Sequence, residues 1–599
     1  MSFEQKEYFA PLPSTERGQP TRLTADPSGE NIVYASGSSI VVRNLANPEK
    51  AWEYTGHSAT PTVARFSPSG YYVASGDSTG KVRVWDAVNP EHILKGEYQP
   101  ISGRINDIAW DHESKRIMAV GDGKSGYGHV FTYDTGNSVG TVMGHSKVAN
   151  ACTMRQKRPF RAVTCSDDRT AVFYHGAPYK MNSALHEHSG FVQDVRYSPD
   201  DSRFVTVSAD RKIFVYDGQT GELQFELGKG EADGHTGAIY AVAWTGDGKR
   251  IVTASGDCTC KVWDVELNQL VKTIAVGKGV EHQQVGLVIA GEYIVSLSLS
   301  GTLNYLQMDA DEPVRVVKGH QKSITATALT PEHKLYTASY DGQLCSWDMR
   351  EAPGEAKQCA GSTGDARVEA AIALPDQRIA IGSLDDSLRL VDGDKVSETV
   401  GLAAAPRSLA SVQGAIVAVL QNDSVVVVCD RQVSAIAVDG MARAVAADSD
   451  GTVALGMSDG SVRTFGLDGT KLTLKREMAF KHAREVTALA FTPDGAMLAS
   501  ADTMGKVVLS RAGTGETVTT RWNMHTARVY SLAWSPDASH AASASLDGSV
   551  IVWSVETPQR RALIKHAHRG GAASVSFLDN ETVVSSGADA GIKVWKFAV

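Results

Sequence analysis

The chain has 599 residues, 42% of them hydrophobic and 21% charged, with 56 glycines, an ordered and turn-rich composition that excludes a disordered chain and exceeds one hydrophobic core. A formal net charge of -9 argues against broad adhesion to phosphate backbones or anionic lipid, so neither nucleic acid nor membrane is expected as a partner. The opening MSFEQKEYFAPLPSTERGQP has neither the basic start nor the apolar core of a secretory signal, and no uninterrupted apolar run suits a membrane helix, so the expected location is cytoplasmic.

In chain order, residues 4–12 read as an isolated strand. Beyond them a frame of about forty residues recurs, clearest over residues 235–275. There Ile239, Ala241 and Ala243 alternate with Tyr240, Val242 and Trp244 in a first strand; residues 245–249 supply a turn, and strands follow at 251–255, 261–263 and 269–274. A histidine opens this unit, an aspartate follows 21 to 23 residues later, and an aromatic six residues after that: His145/Asp168/Tyr174, His188/Asp210/Tyr216, His235/Asp257/Trp263, His320/Asp341/Trp347, His525/Asp547/Trp553 and His568/Asp589/Trp595. This spacing resembles WD repeats, in which each repeat makes one four-stranded blade of a β-propeller.

Laid along the chain, the frame gives blades near residues 20–55, 57–98, 101–143, 145–186, 188–228, 235–275 and 280–318, then 320–360, 364–399, 405–435, 440–475, 482–522, 525–565 and 568–599. A single ring of fourteen blades lies outside the usual range, so the expected fold is all-β, two seven-bladed propellers joined near residues 318–321. The domains are then 1–15, 16–318 and 319–599. The last blade holds only three strands before the sequence given stops, while the N-terminal strand has no place in the first ring. An open edge is an aggregation hazard, so residues 1–15 are expected to complete the last blade and close the second ring.

Serines two residues before the turn acids (Ser255 before Asp257, Ser339 before Asp341, Ser545 before Asp547) are the expected hydroxyl links between His235 and Trp263, His320 and Trp347, and His525 and Trp553. Serine, histidine and aspartate together suggest a hydrolase. Recurrence from blade to blade argues instead for a buried polar strut, and no G-x-S-x-G elbow is present; no catalysis and no cofactor are expected. The run 121–126 matches G-x-G-x-x-G, but a strand follows it instead of a helix, so a hairpin loop is expected. Neither His186, Glu187 and His188 nor Cys258 and Cys260 has the second half of a zinc site. Cys152, Cys165, Cys258, Cys260, Cys345, Cys359 and Cys429 are odd in number and read as reduced thiols. In the pairs Asp167/Asp168 and Asp385/Asp386 the second acid reads as structural and the first as exposed. Tyr179, Met181 and Phe191, with Lys180, are apolar groups at the connection from the fourth to the fifth blade, a composition suited to a protein interface.

Longer strings narrow the resemblance. DPSGENIVYASGSSIVVRNL at 26–45, GYGHVFTYDTG at 126–136, RPFRAVTCSDDRTAVFYHGAPYKM at 158–181, EHSGFVQDVRYSPD at 187–200, HTARVYSLAWSPD at 525–537 and SLDGSVIVW at 545–553 resemble the actin-interacting protein 1 family, twin-propeller WD-repeat proteins that assist cofilin. The resemblance implies a monomer at the actin cytoskeleton that binds actin filaments decorated with cofilin (ADF/cofilin), promotes severing and depolymerisation, and limits regrowth of the ends. It implies contacts at Asp167, Lys180 and Phe191. The sequence departs from the family at Met181, where an aromatic is usual, and at Ser125, where an acid is usual. The rival expectation is a WD-repeat scaffold or substrate-receptor subunit of another complex.

Overall fold

The computed structural model describes residues 2–124, 126–229, 234–350, 356–358 and 366–598. These form fourteen four-stranded antiparallel sheets, and the only helical piece among them is a single 3₁₀ turn, Val280–His282. No helix among the described residues is long and apolar enough to cross a membrane.

The innermost strands of blades 1 to 7 are Thr24–Ala25, Pro61–Phe66, Ile105–Trp110, Ala149–Met154, Val192–Tyr197, Ile239–Trp244 and Gln284–Ala290. Those of blades 8 to 14 are Ile324–Leu329, Val368–Ala373, Pro406–Val412, Ala442–Ala447, Val486–Phe491, Val529–Trp534 and Ala572–Phe577. In each ring these strands adjoin in order and the seventh meets the first. Thr21 donates its amide to the Val285 carbonyl at 2.8 Å in the first ring, and Thr327 meets Ser574 at 2.8 Å in the second.

Burial follows strand position. The second strand of blade 6, Arg250–Ser255, is buried at every residue but its first, because neighbouring blades cover both of its faces. The outer strand, Gln269–Ala275, alternates between exposed and covered. The cores lie between blades: Val205, Val207 and Val215 of blade 5 pack with Ile239, Trp244, Ile251 and Trp263 of blade 6, so each sheet depends on its neighbours for burial.

Blade 14 is completed from the other end of the chain. Ser2–Phe9 pairs antiparallel with Ile592–Ala598, from Ser2 opposite Ala598 to Phe9 opposite Ile592, with one irregularity between Gln5 and Glu7. Tyr8 and Phe9 anchor it as buried residues, and the Phe9 ring stands edge-on to Trp347 at 5.1 Å. The chain divides into two compact units, Met1–Pro11 with Lys322–Val599, and Leu12–Gln321. Residues 12–15 bond into the first ring: Ser36 donates to the Leu12 carbonyl at 2.7 Å and Ser14 to that of Ala35 at 3.0 Å. The described residues of the glycine-rich run lie between two paired strands, Arg116–Gly121 and Gly128–Thr132, and none of them starts a helix. Six described cysteines are free thiols, four of them buried; Cys359 lies outside the described residues.

Candidate functional site

The recurring histidines hold a hydrogen-bonded chain, and it runs through a different hydroxyl from the one the sequence suggested. His235 Nδ1 lies 2.8 Å from Asp257, its Nε2 lies 2.8 Å from Thr253 Oγ1, and the Trp263 indole donates to that same oxygen at 2.9 Å. The linking hydroxyl is therefore Thr253, four residues before the acid. Ser255 instead accepts the Asp257 backbone amide at 3.2 Å and shapes the turn. The same correction applies to Ser545, which accepts the Asp547 amide while Ser543 links His525 and Trp553, both at 2.8 Å. It applies also to Ser339, which donates to Asp341 at 2.5 Å while Trp347 donates to Thr337 at 2.8 Å. The constant is the strand register: histidine and hydroxyl are 18 residues apart and hydroxyl and tryptophan 10 in blades 6 and 13.

Two blades outside the 21-to-23 spacing carry the same imidazole and acid. His57 meets Asp77 at 3.2 Å and Ser75 at 2.7 Å, with Trp85 donating to Ser75 at 3.0 Å. His482 meets Asp502 at 3.0 Å and Ser500 at 2.8 Å. Here the acid is the last residue of the second strand, two after the hydroxyl. Burial pushes His57 and His235 below the ordinary imidazole value against the opposing pull of Asp77 and Asp257. Burial of Asp257 acts to raise its pKa, but the His235 hydrogen bond and charge, the Thr259 hydroxyl and the Thr236 amide hold it well below the carboxylate range. In blades 2 and 6 the arrangement is a neutral imidazole donating to a carboxylate and accepting from a hydroxyl, with the histidine buried inside the blade. In the Asp385/Asp386 pair both acids are exposed: Asp385 as expected, while it takes Ser387 at 2.5 Å and the Arg389 guanidinium, and Asp386 against the structural reading, in the left-handed region.

The exposed candidates lie on blades 4 and 5 of the first ring. Asp167, in the turn beside the strut acid Asp168, is half-buried where exposure was expected, because its carboxylate accepts the Asn150 side-chain amide at 2.7 Å. Asn150 also donates to the Val192 carbonyl at 2.9 Å, which ties the Asp167 turn to the entry of blade 5. Phe191 precedes that strand, is 43% exposed, and receives Lys147 Nζ at 5.8 Å from its ring centre. Asp167, Lys147 and Phe191 thus belong to one surface. Lys180 and Met181 open the outer strand of blade 4, Lys180–Leu185, and both are exposed. The Met181 sulfur packs so close to Gly144 that a Cβ there would meet it at 2.7 Å, beside Met143, itself 62% exposed. No hydrogen bond or ring contact among the described residues joins Lys180 to Asp167 or Phe191. Tyr179 is corrected from connection to core: it is buried among Val130, Val142 and Tyr174. Ser125 lies outside the described residues. Lys147 and Met143 were missed because each stands in a loop next to its blade's histidine, where only blade-to-blade contact reveals its role.

Comparison with known proteins agrees with this architecture. The family profile "WD domain, G-beta repeat" matches residues 49–86, 180–217, 229–264, 311–348 and 515–554. The match at 180–217 joins the outer strand of blade 4 to the three inner strands of blade 5, so one sequence repeat staples two blades. A profile for the WD40 domain of anaphase-promoting complex subunit 4 matches residues 448–527. The chain is 39% identical over 614 residues to WD repeat-containing protein 1 of Gallus gallus, spanning 100% of this chain and 99% of that protein. It is 38% identical over 603 residues to the 66 kDa stress protein of Physarum polycephalum, spanning 99% of each, and 40% identical over 610 residues to actin-interacting protein 1 of Drosophila melanogaster, spanning 99% of this chain and 98% of that one. With both rings built from WD-repeat blades and the similarity running from end to end, the chain belongs to the actin-interacting protein 1 family.

Proposed function

We propose that this chain binds actin filaments decorated with cofilin, promotes their severing and depolymerisation and limits regrowth of the ends, as a cytoplasmic monomer acting at the actin cytoskeleton. The observation that carries this reading is the end-to-end similarity to a protein named for its interaction with actin, 40% identical over 99% of this chain. The surface of Asp167, Lys147 and Phe191, with Lys180 and Met181 on the same two blades, supports it as the contact area: an aromatic and a methionine supply adaptable apolar anchors, and two lysines with one acid supply charge complementarity. The recurring Ser/Thr–His–Asp sets are absorbed by the blade struts, so the activity rests on binding alone. A ligand that prefers the cofilin-bound filament to the bare one shifts the filament toward that state by its differential affinity.

The test is filament severing watched by microscopy, with pelleting alongside, with and without cofilin. Cofilin-dependent pelleting and faster severing are expected, and Lys180→Ala and Phe191→Ala should each slow severing by about tenfold, the loss of an interface anchor. Equal severing by both variants refutes the contact area; pelleting that ignores cofilin refutes the function and favours a scaffold role in another complex.

A further inference from the structure

Three arginines and two aspartates from four blades meet inside the first ring. Asp107 accepts Arg65 and Arg196, each at 2.9 Å, and the backbone amides of Ile108 and Cys152 at 2.9 and 3.2 Å. Asp194 pairs with Arg22 and Arg196, each at 3.0 Å, and accepts the amides of Val195 and Val242 at 3.0 and 3.1 Å. Arg22 reaches on to the carbonyls of Asn150 and Gln193 at 2.9 and 2.8 Å, bracing blade 1 against blades 4 and 5. Both carboxylates are thus saturated, and two negative charges face three positive ones. A buried charge without a counter-charge is costly.

The uncompensated end is Arg65. Its Nε is buried with no hydrogen-bond acceptor among the described residues, and its side chain keeps 23% exposure. Burial depresses its pKa, Asp107 opposes this, and the neighbouring Arg196 charge depresses it further. Arg22, Arg65 and Arg196 line one cavity of about 810 Å³ that all seven innermost strands enclose, a volume suited to a small molecule. Asp201 also lines it; its carboxylate is held by the amides of Gln156 and Lys157 at 3.0 and 2.7 Å, and the buried Arg155, which donates to the Asp201 carbonyl at 3.3 Å, brings the offsetting positive charge.

We propose that the channel of the first ring is a binding site for a small polyvalent oxyanion, a phosphate- or carboxylate-bearing molecule whose charge completes the Arg22–Arg65–Arg196 cluster. Guanidinium groups bind such oxyanions through short charge-assisted hydrogen bonds. The site is independent of the filament-binding reading, since it uses none of the exposed residues of blades 4 and 5.

Calorimetric titration of the full chain at constant ionic strength tests it, with tripolyphosphate as the phosphate probe and citrate as the carboxylate probe. Saturable binding of at least one, at one site per chain, is expected, and the probe that binds names the group. Arg65→Met should weaken it by at least about tenfold, the loss of one charge-assisted contact. Ala243→Glu, which places a carboxylate in the same cavity, should abolish binding without lowering the melting temperature, and it decides the matter alone if Arg65→Met does not fold. No saturable heat with either probe, or undiminished binding in Ala243→Glu, overturns the assignment.

Discussion

Replacing Thr253 by valine tests the strut chemistry at its joint. The hydroxyl is fully buried and its two short bonds are to His235 Nε2 at 2.8 Å and the Trp263 indole at 2.9 Å, with the Lys261 carbonyl farther off at 3.4 Å. Valine keeps the shape and removes both bonds, leaving an imidazole nitrogen and an indole N–H unsatisfied in the interior. At roughly 1–3 kcal/mol for each stranded group, and with some relaxation shared between them, the cost is about 3 kcal/mol. Ser255→Ala removes one acceptor from one turn amide, which is worth about 1 kcal/mol. Hydrogen exchange read by mass spectrometry on peptides of blade 6 separates the two on the intact chain. Exchange in Thr253→Val should accelerate roughly a hundredfold, and in Ser255→Ala by about fivefold. An effect of Ser255→Ala equal to or larger than that of Thr253→Val would refute the assignment of the link.

Phe9→Ala empties the contact with Trp347 and should cost about 3 kcal/mol, seen as faster exchange in residues 592–598 and 344–348 with the first ring unchanged; slower or unaltered exchange there would contradict the closure. His57 and His235 have folded-state pKa values below the ordinary 6.5, so the unfolded chain takes up protons first. The melting temperature should therefore be level above pH 7 and fall as pH drops below about 6.5. The depressed carboxylates Asp168, Asp210, Asp257 and Asp547 add a second loss as pH falls below their ordinary value of 3.8. A melting temperature that rises on acidification through pH 6 would count against neutral buried imidazoles.

The repeat was legible because its period and its His–Asp–aromatic spacing are set by hydrogen bonds that every blade needs. Four-strand blades, two series of seven and the strand that crosses from one end of the chain to the other could all be read that way. The linking hydroxyl was misread because two hydroxyls lie on the same face of one strand, Thr253 and Ser255, and only register against Trp263 distinguishes them. His57 and His482 escaped because their acid sits two residues nearer the hydroxyl, at the end of the second strand, while the spacing that matters, histidine to hydroxyl, is unchanged at 18 residues. Tyr179 looked like a loop aromatic because sequence does not show that its ring turns back under blade 3. The arginine and aspartate cluster had a signal that passed unnoticed: Arg65, Asp107, Asp194 and Arg196 each place a charge on an innermost strand, and a charge at such a place must find partners across the channel.

The pairing of Ser2–Phe9 with Ile592–Ala598 imposes a timetable on biosynthesis. Residues needed last for assembly are translated first, and at roughly 5–20 residues per second the leading segment waits about half a minute to two minutes on the ribosome before its mate emerges. Everything required to shut the first ring has been translated long before then. A nascent chain that stalls late would thus carry one finished wheel and one that is still ajar.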